Sequence, residues 1–182
     1  ALANVEPKDA AYSLVDDPDG AGRVLEVRCE NANRSGIALR GPEAGWDWTS
    51  VAGAAIHVTN PNDAPVDMEI TAFGKTAEGS PRTMEGKMTI GASESDWLLV
   101  YFSNEGRGPY WGMHGIPVMG PVSRTMPGIA TETRLTEASS VTVVVRDPKE
   151  GVRVLLDDFL TFEEDSPVAY VVPMPFVDRF GQ

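Results

Sequence analysis

Cysteine and histidine are scarce in this chain, and their scarcity excludes several kinds of chemistry. Of 182 residues, one is a cysteine, Cys29, so the chain can form no internal disulfide and no cysteine cage for a metal. The two histidines, His57 and His114, stand far apart, whereas a zinc site needs several His, Cys or carboxylate ligands. The sequence also lacks a Gly-x-Ser-x-Gly elbow and a glycine-rich nucleotide loop. We therefore predict no hydrolytic triad, no zinc centre and no dinucleotide site.

Positively charged residues are also few in this chain. The chain has 15 lysines and arginines against 27 aspartates and glutamates, which gives a net charge of −12. Nucleic acids and anionic membrane surfaces are bound through Lys and Arg, so both are disfavoured as partners. No run of about 18 apolar residues occurs, which argues against a membrane-spanning helix. A neutral polymer, a cation or a basic partner remains open.

Most of the sequence consists of runs in which apolar and polar residues alternate. These runs are separated by Gly, Pro, Asn and Asp residues, which are typical of turns. Period-2 alternation is typical of antiparallel strands with one solvated face. The predicted strands cover 12–15, 23–29, 36–40, 54–59, 66–73, 84–90, 97–103, 141–146 and 152–162. No segment has a sustained helical period, although short helical turns are left open at 42–48 and 131–138. The sequence therefore predicts an all-β domain at 1–165, an antiparallel β-sandwich or jelly roll.

Two segments break this rhythm. The interval 104–137 is too long for a hairpin and is rich in glycine and proline. Intervals of this length are usually functional or pack against a neighbour. The segment 166–182 is apolar and proline-rich, and we interpret it as a linker to a further domain.

Aromatic side chains are the strongest candidates for ligand binding. Two tryptophans stand in the run Gly-Trp-Asp-Trp-Thr at 45–49, and a Tyr-Trp pair stands in the long interval. Exposed Trp and Tyr rings stack on the apolar faces of sugar rings, while a few polar groups bind the hydroxyls. Packing of the two tryptophans under a loop is left open. The predicted sugar-binding residues are Tyr110, Trp111, His114, Trp46, Trp48, Arg107 and Asn104.

Strand alternation assigns other notable side chains to the interior or the surface. Cys29 shares a face with two apolar neighbours, so we expect a small buried hydrophobe. Trp97 and Tyr101 share a strand face and are assigned to the core. His57 lies on the face opposite its apolar neighbours and is expected outside the core.

Asp157 and Asp158 interrupt an apolar strand, so at least one is expected to face the core. A buried carboxylate must be satisfied by a cation, an arginine or backbone amides, and these alternatives stay open. Calcium takes about six to eight oxygen ligands. We predict a structural Ca²⁺ held by Asp157, Asp158 and Glu26, with Glu6 or Asp9 as further ligands if the first and last strands are neighbours.

Acidic pairs also leave glycoside hydrolysis open, because 27 acidic residues supply many carboxylate pairs. Candidates are Asp157 with Asp158, Asp67 with Glu69, and the run 163–165. Most acidic residues of such a chain are solvated surface, so we predict that the chain by itself is not an enzyme.

Several runs resemble those of jelly-roll carbohydrate-binding modules with a galactose-binding-domain-like fold. These runs are 25–28 (LEVR), 46–49 (WDWT), 55–61 (AIHVTNP) and 154–159 (VLLDDF). The run 175–182 (PFVDRFGQ) looks like the segment that joins the N-terminal module to the catalytic barrel in family 50 β-agarases. The run 111–118 (WGMHGIPV) is similar to a loop of those modules.

The resemblance implies the non-catalytic module of a secreted or periplasmic polysaccharide-degrading enzyme that acts on agarose or a related algal galactan. Its partners would be the polysaccharide and the enzyme's own catalytic domain. The family's catalytic glutamates belong to the barrel and have no counterpart here. A structural calcium at Asp157 or Asp158 is implied as well. The alternative is a domain that braces the barrel and has little sugar affinity of its own.

Overall fold

The computed structural model describes residues 4–18, 20, 22–30, 33–51, 53–101 and 135–162. The predicted linker at 166–182 lies outside these residues, as does most of the long interval before residue 135. Within the described residues there is no helix, and so none that is long and apolar enough to cross a membrane.

The described residues form eleven strands: β1 (Val5–Lys8), β2 (Ala10–Asp16), β3 (Arg23–Cys29), β4 (Arg34–Arg40), β5 (Trp46–Asp47), β6 (Gly53–Thr59), β7 (Val66–Lys75), β8 (Pro81–Ile90), β9 (Ser95–Tyr101), β10 (Glu137–Arg146) and β11 (Arg153–Phe162). One sheet has six strands in the order β1-β4-β10-β7-β8, with β5 paired to β10. The other has five, in the order β2-β3-β11-β6-β9. Every paired strand is antiparallel, so the predicted all-β sandwich is confirmed.

The core lies between the two sheets and follows the predicted alternation. In β7, Met68 and Ile70 are at most 1% exposed, and in β6, Ile56 and Val58 are at most 3% exposed. Complete burial of one such side chain contributes about 1.5–3 kcal/mol of hydrophobic stabilisation. Because every second residue of these strands is apolar, each sheet has one apolar face. In the sandwich, the two apolar faces cover each other.

Strands β1 and β5 have no counterpart among the predicted strands. β1 has the sequence VEPK and lies at the edge of its sheet, where Pro7 removes no central hydrogen bond. β5 has only two residues, Trp46 and Asp47, and it occupies part of the interval where a helical turn was left open. Neither strand is long enough to show a period in the sequence.

A β-bulge in β11 changes the expected position of the two adjacent aspartates. Asp157 pairs with His57 and Leu160 with Ala55, so β11 has one residue more than β6 over this stretch. Asp158 has a φ of 46° and is exposed, while Asp157 is only half-buried. The expectation that one aspartate faces the core is therefore wrong, because the bulge interrupts the alternation on which it was based.

Cys29 packs against the core, as the alternation predicts, although it is only partly buried. Burial raises the pKa of its thiol to about 11, with a smaller opposing effect of a hydrogen bond with Ser35. At pH 8 the reactive thiolate is then on the order of a thousandth of the population. We expect alkylation by iodoacetamide at pH 8 to be about a hundredfold slower in the native chain than in urea. Equal rates would contradict this assignment.

Candidate functional site

One sheet face is rich in polar side chains and carries an exposed aromatic ring. We call the face of the six-stranded sheet that points away from the core the polar face. Phe73 of β7 is 38% exposed on this face, and the other large hydrophobic residue with similar exposure among the described residues is Leu14, also 38%. Phe73 lies between its cross-strand partners Ser140 and Thr83, so hydroxyl groups flank the ring on both sides.

A pocket of about 430 Å³ opens beside Phe73. Its lining residues are Phe73, Gly74, Pro81, Arg82, Thr83 and Ser139. Gly74 permits the close approach of β10 here, since a Cβ at this position would overlap the Glu137 carbonyl oxygen. The Phe73 ring and the hydroxyl-bearing residues Thr83 and Ser139 are of the kinds found at sugar-binding sites, where a ring stacks on a sugar face and polar groups bind hydroxyls.

The middle of the polar face is lined by small residues. Ala38 is fully buried, and Thr71 and Ser140 are each 5% exposed. Along one cross-strand row, Ala38 pairs with Thr142 and Thr142 with Thr71. Little of the surface at Ala38, Thr71 and Ser140 is therefore accessible to a ligand, and the accessible part of this face lies around Phe73.

A buried carboxylate lies further along the polar face. Glu69 is 1% exposed, and both of its carboxylate oxygens accept hydrogen bonds from Arg34, at 2.8 and 2.9 Å. Lys87 Nζ lies 3.5 Å and Arg146 Nε 3.9 Å from the same carboxylate. The Glu69 carboxylate is therefore engaged by three cationic side chains, Arg34 most closely.

The outward face of the five-stranded sheet carries a second aromatic group. Trp97 and His57 are cross-strand partners, and their ring centroids lie 5.3 Å apart. His57 is outside the core, as expected. Trp97, which was assigned to the core, is only half-buried and is not part of the core cluster.

Trp46 and Trp48 form a stacked pair, with ring centroids 5.5 Å apart and planes 2° from parallel. Trp48 is 4% exposed and belongs to the hydrophobic core, and Trp46 is half-buried and also contacts Phe159. Trp48 therefore has no open ring face for a sugar. Of the two alternatives left open by the sequence, packing within the protein describes this pair.

The other predicted sugar-binding residues lie outside the described residues. They are Asn104, Arg107, Tyr110, Trp111 and His114. Phe73, by contrast, was not among the candidates. The signal for it was present, because Phe73 continues the outward series of Asp67, Glu69 and Thr71, and an aromatic ring at an outward position is unusual.

The predicted calcium ligands are only partly brought together. Strand β11 lies between β3 and β6, while β1 pairs with β4 in the other sheet, so Glu6 is remote from the two aspartates. Glu26 accepts hydrogen bonds from Arg28 at 2.6 Å and from Arg153 at 3.0 Å. Burial would raise the pKa of Glu26, but these two arginines hold it below its usual range.

Glu26 thus has two cationic partners and does not fit a calcium ligand set. Asp157 Oδ1 accepts a hydrogen bond from the Asp158 amide at 2.9 Å. No three His, Cys, Asp or Glu side chains converge as a metal site in the part of the chain that the structure describes. A calcium ion bound by Asp157 and Asp158 stays a prediction.

No protein-family sequence profile and no curated protein sequence matches the chain, but solved structures do. An exo-β-agarase superposes with a TM-score of 0.63 at 12% identity, over 91% of this chain and 24% of the agarase. A family 11 carbohydrate-binding module of Clostridium thermocellum, solved with a β-1,3-1,4-mixed-linked tetrasaccharide, gives a TM-score of 0.57 at 11% identity, over 90% of this chain and 91% of the module. A xylan-binding module of Paenibacillus barcinonensis gives 0.54 at 10% identity, over 91% and 88%.

The chain is thus comparable in length to the isolated modules, and it spans about a quarter of the agarase. At these identities the comparisons establish the fold. The chain has the antiparallel β-sandwich fold of carbohydrate-binding modules and of one region of agarases, which confirms the fold resemblance inferred from its sequence.

Proposed function

We propose that this chain is a non-catalytic carbohydrate-binding module of a secreted or periplasmic polysaccharide-degrading enzyme, and that it binds its polymer on the polar face around Phe73. The observation that carries the proposal is the exposed Phe73 ring beside a pocket lined with hydroxyl groups and Arg82. Phe73 is not part of the hydrophobic core cluster, and the exposed part of its ring can stack against a sugar.

Agarose or a related algal galactan is the polymer that we propose, from the sequence resemblance to agarase modules and the fold match to an exo-β-agarase.

Replacing Phe73 with alanine tests the proposal. Burial of a phenylalanine side chain against a ligand is worth about 1.5–3 kcal/mol, so we expect Phe73→Ala to weaken binding about tenfold or more. The measurement is retardation in native gels cast with agarose and with other algal and plant polysaccharides. Leu14→Ala is the matched control, because Leu14 has the same 38% exposure but lies in the other sheet.

The melting temperature of both variants should stay close to that of the parent chain, because neither side chain is in the core. Equal retardation of Phe73→Ala and the parent would reject the Phe73 site. If no polysaccharide retards the parent chain, the binding function itself is rejected.

The alternative function is an accessory domain that braces a catalytic barrel. Two observations favour it: the matching region makes up only 24% of the exo-β-agarase, and the half-buried Trp97 lies on an outward sheet face opposite the polar face. A bracing domain would show no retardation with any polysaccharide, yet Trp97→Ala would weaken its association with the catalytic domain.

A further inference from the structure

Two arginines face each other on the polar face. Arg34 of β4 is the cross-strand partner of Arg146 of β10, and their side chains are 59% and 43% exposed. Like charges directly opposite each other in a sheet are destabilising. Such a pair is favourable when an anion lies between or above the two guanidinium groups.

Glu69 compensates the charges of both arginines, but unequally. Its carboxylate lies 2.8 Å from Arg34 but 3.9 Å from Arg146, beyond the usual length of about 2.7–2.9 Å for a charge-assisted hydrogen bond. Asp67 is the cross-strand partner of Arg146 on β7, but its carboxylate accepts a hydrogen bond from a threonine at 2.5 Å, and Glu85 pairs with a lysine at 2.9 Å. Within the described residues, Arg146 therefore has no acidic oxygen closer than 3.9 Å.

The arginine pair lies on the same surface as the proposed sugar site. Phe73 pairs with Ser140, and Arg146 follows Ser140 on the same strand at an even separation, so both point outward. At about 3.4 Å per residue, the two positions are about 20 Å apart. An oligosaccharide bound at Phe73 can therefore reach the arginines.

We propose that Arg34 and Arg146 form a subsite for an anionic substituent of the bound polysaccharide, either a sulfate ester or a uronate carboxylate. This inference rests on the proposed function, since the subsite would act on a polymer that is held at Phe73. Guanidinium groups present paired N–H donors that match the oxygens of both anions. Lys87, 46% exposed and 3.5 Å from Glu69, adds positive potential beside the pair.

The net charge of −12 sets how such a subsite would work. The whole chain repels polyanions at a distance, so it does not attract them by long-range steering. Contact at the arginine pair would instead select substituted sugars once stacking has placed the polymer. Selectivity of this kind depends on salt, because both guanidinium groups are solvent-accessible.

The test compares a neutral and two anionic polymers: agarose, a carrageenan and polygalacturonate, each at low and at high salt. We expect the parent chain to bind one anionic polymer about tenfold more tightly than agarose, and this preference to shrink at high salt. Which anionic polymer is preferred distinguishes a sulfate from a carboxylate. Arg146→Gln should abolish the preference and leave agarose binding within about twofold, since one charge-assisted contact is lost.

Arg146 is the residue to change because its distance from Glu69 makes it a minor support of the buried carboxylate. Arg23→Gln is the control: Arg23 lies in the other sheet and donates a hydrogen bond to the Leu14 carbonyl at 2.8 Å. It should keep the preference.

The outcomes separate the subsite from the function on which it rests. Equal binding of all three polymers by the parent chain, or a preference that survives Arg146→Gln, overturns the subsite and leaves the sugar-binding function in place. A preference that Arg146→Gln abolishes but Phe73→Ala does not affect supports the subsite and overturns the Phe73 site. Failure to bind any of the polymers overturns both.

Discussion

Trp48→Ala should lower the free energy of unfolding by about 3–5 kcal/mol, the usual cost of truncating a buried aromatic residue. Trp48 is 4% exposed, belongs to the core cluster and stacks on Trp46 at 5.5 Å. Truncation would leave a cavity under Trp46 and remove the stacking contact. Denaturant unfolding followed by circular dichroism would measure the loss.

A matched variant separates this core role from a role in ligand binding. Trp97→Ala removes the same side chain from a half-buried position on an outward face, so it should cost far less stability. If Trp48→Ala were no less stable than Trp97→Ala but lost polysaccharide binding, Trp48 would be a ligand residue after all. The core assignment would then be wrong.

Arg34→Ala should also destabilise the fold, by about 2–3 kcal/mol. Removing one partner of a buried ion pair is costly because the other charge stays buried without compensation. Glu69 would retain only Lys87 at 3.5 Å and Arg146 at 3.9 Å. The expected loss is below that of a fully buried pair, because the Arg34 side chain is 59% exposed.

A double-mutant cycle tests the physical reason. Once Glu69→Gln has removed the buried charge, adding Arg34→Ala should cost little more, which gives a coupling of about 2–3 kcal/mol. Arg40→Ala is the control, since Arg40 pairs at 2.9 Å with Glu6, which is also exposed, and should be nearly neutral. Additive effects of the Arg34 and Glu69 changes would show that this ion pair does not stabilise the fold.

The strands could be predicted from the sequence where alternation is long. Residues 66–73 place Met68 and Ile70 on the core face as expected, and the bounds of β3 match those of the predicted strand at 23–29. Alternation reports which face a side chain occupies, and it is reliable wherever a strand has a regular ladder on both sides.

Alternation could not predict how deeply the outward-facing side chains are buried, or where a strand is irregular. Glu69 and Glu26 point away from the core, yet they are 1% and 2% exposed, and arginines from other strands of the same sheet lie against them. Those arginines are up to 127 residues distant in sequence, so no local pattern marks the contact. The bulge at Asp158 shifts the phase of β11 by one residue, and only the ladder with β6 shows it.

The order of strands within the sheets has a consequence for how the chain folds. The last two of the described strands, β10 and β11, lie inside the two sheets, between β4 and β7 and between β3 and β6. Without them, each sheet falls into separate strand pairs. In each sheet, the separate strand pairs cannot be joined until residues 137–162 have been synthesised. Folding must therefore wait for contacts between distant parts of the chain. Such non-local pairing is typical of proteins that fold in about milliseconds to seconds, and until then the inner edges of β4, β7, β3 and β6 are open to other chains.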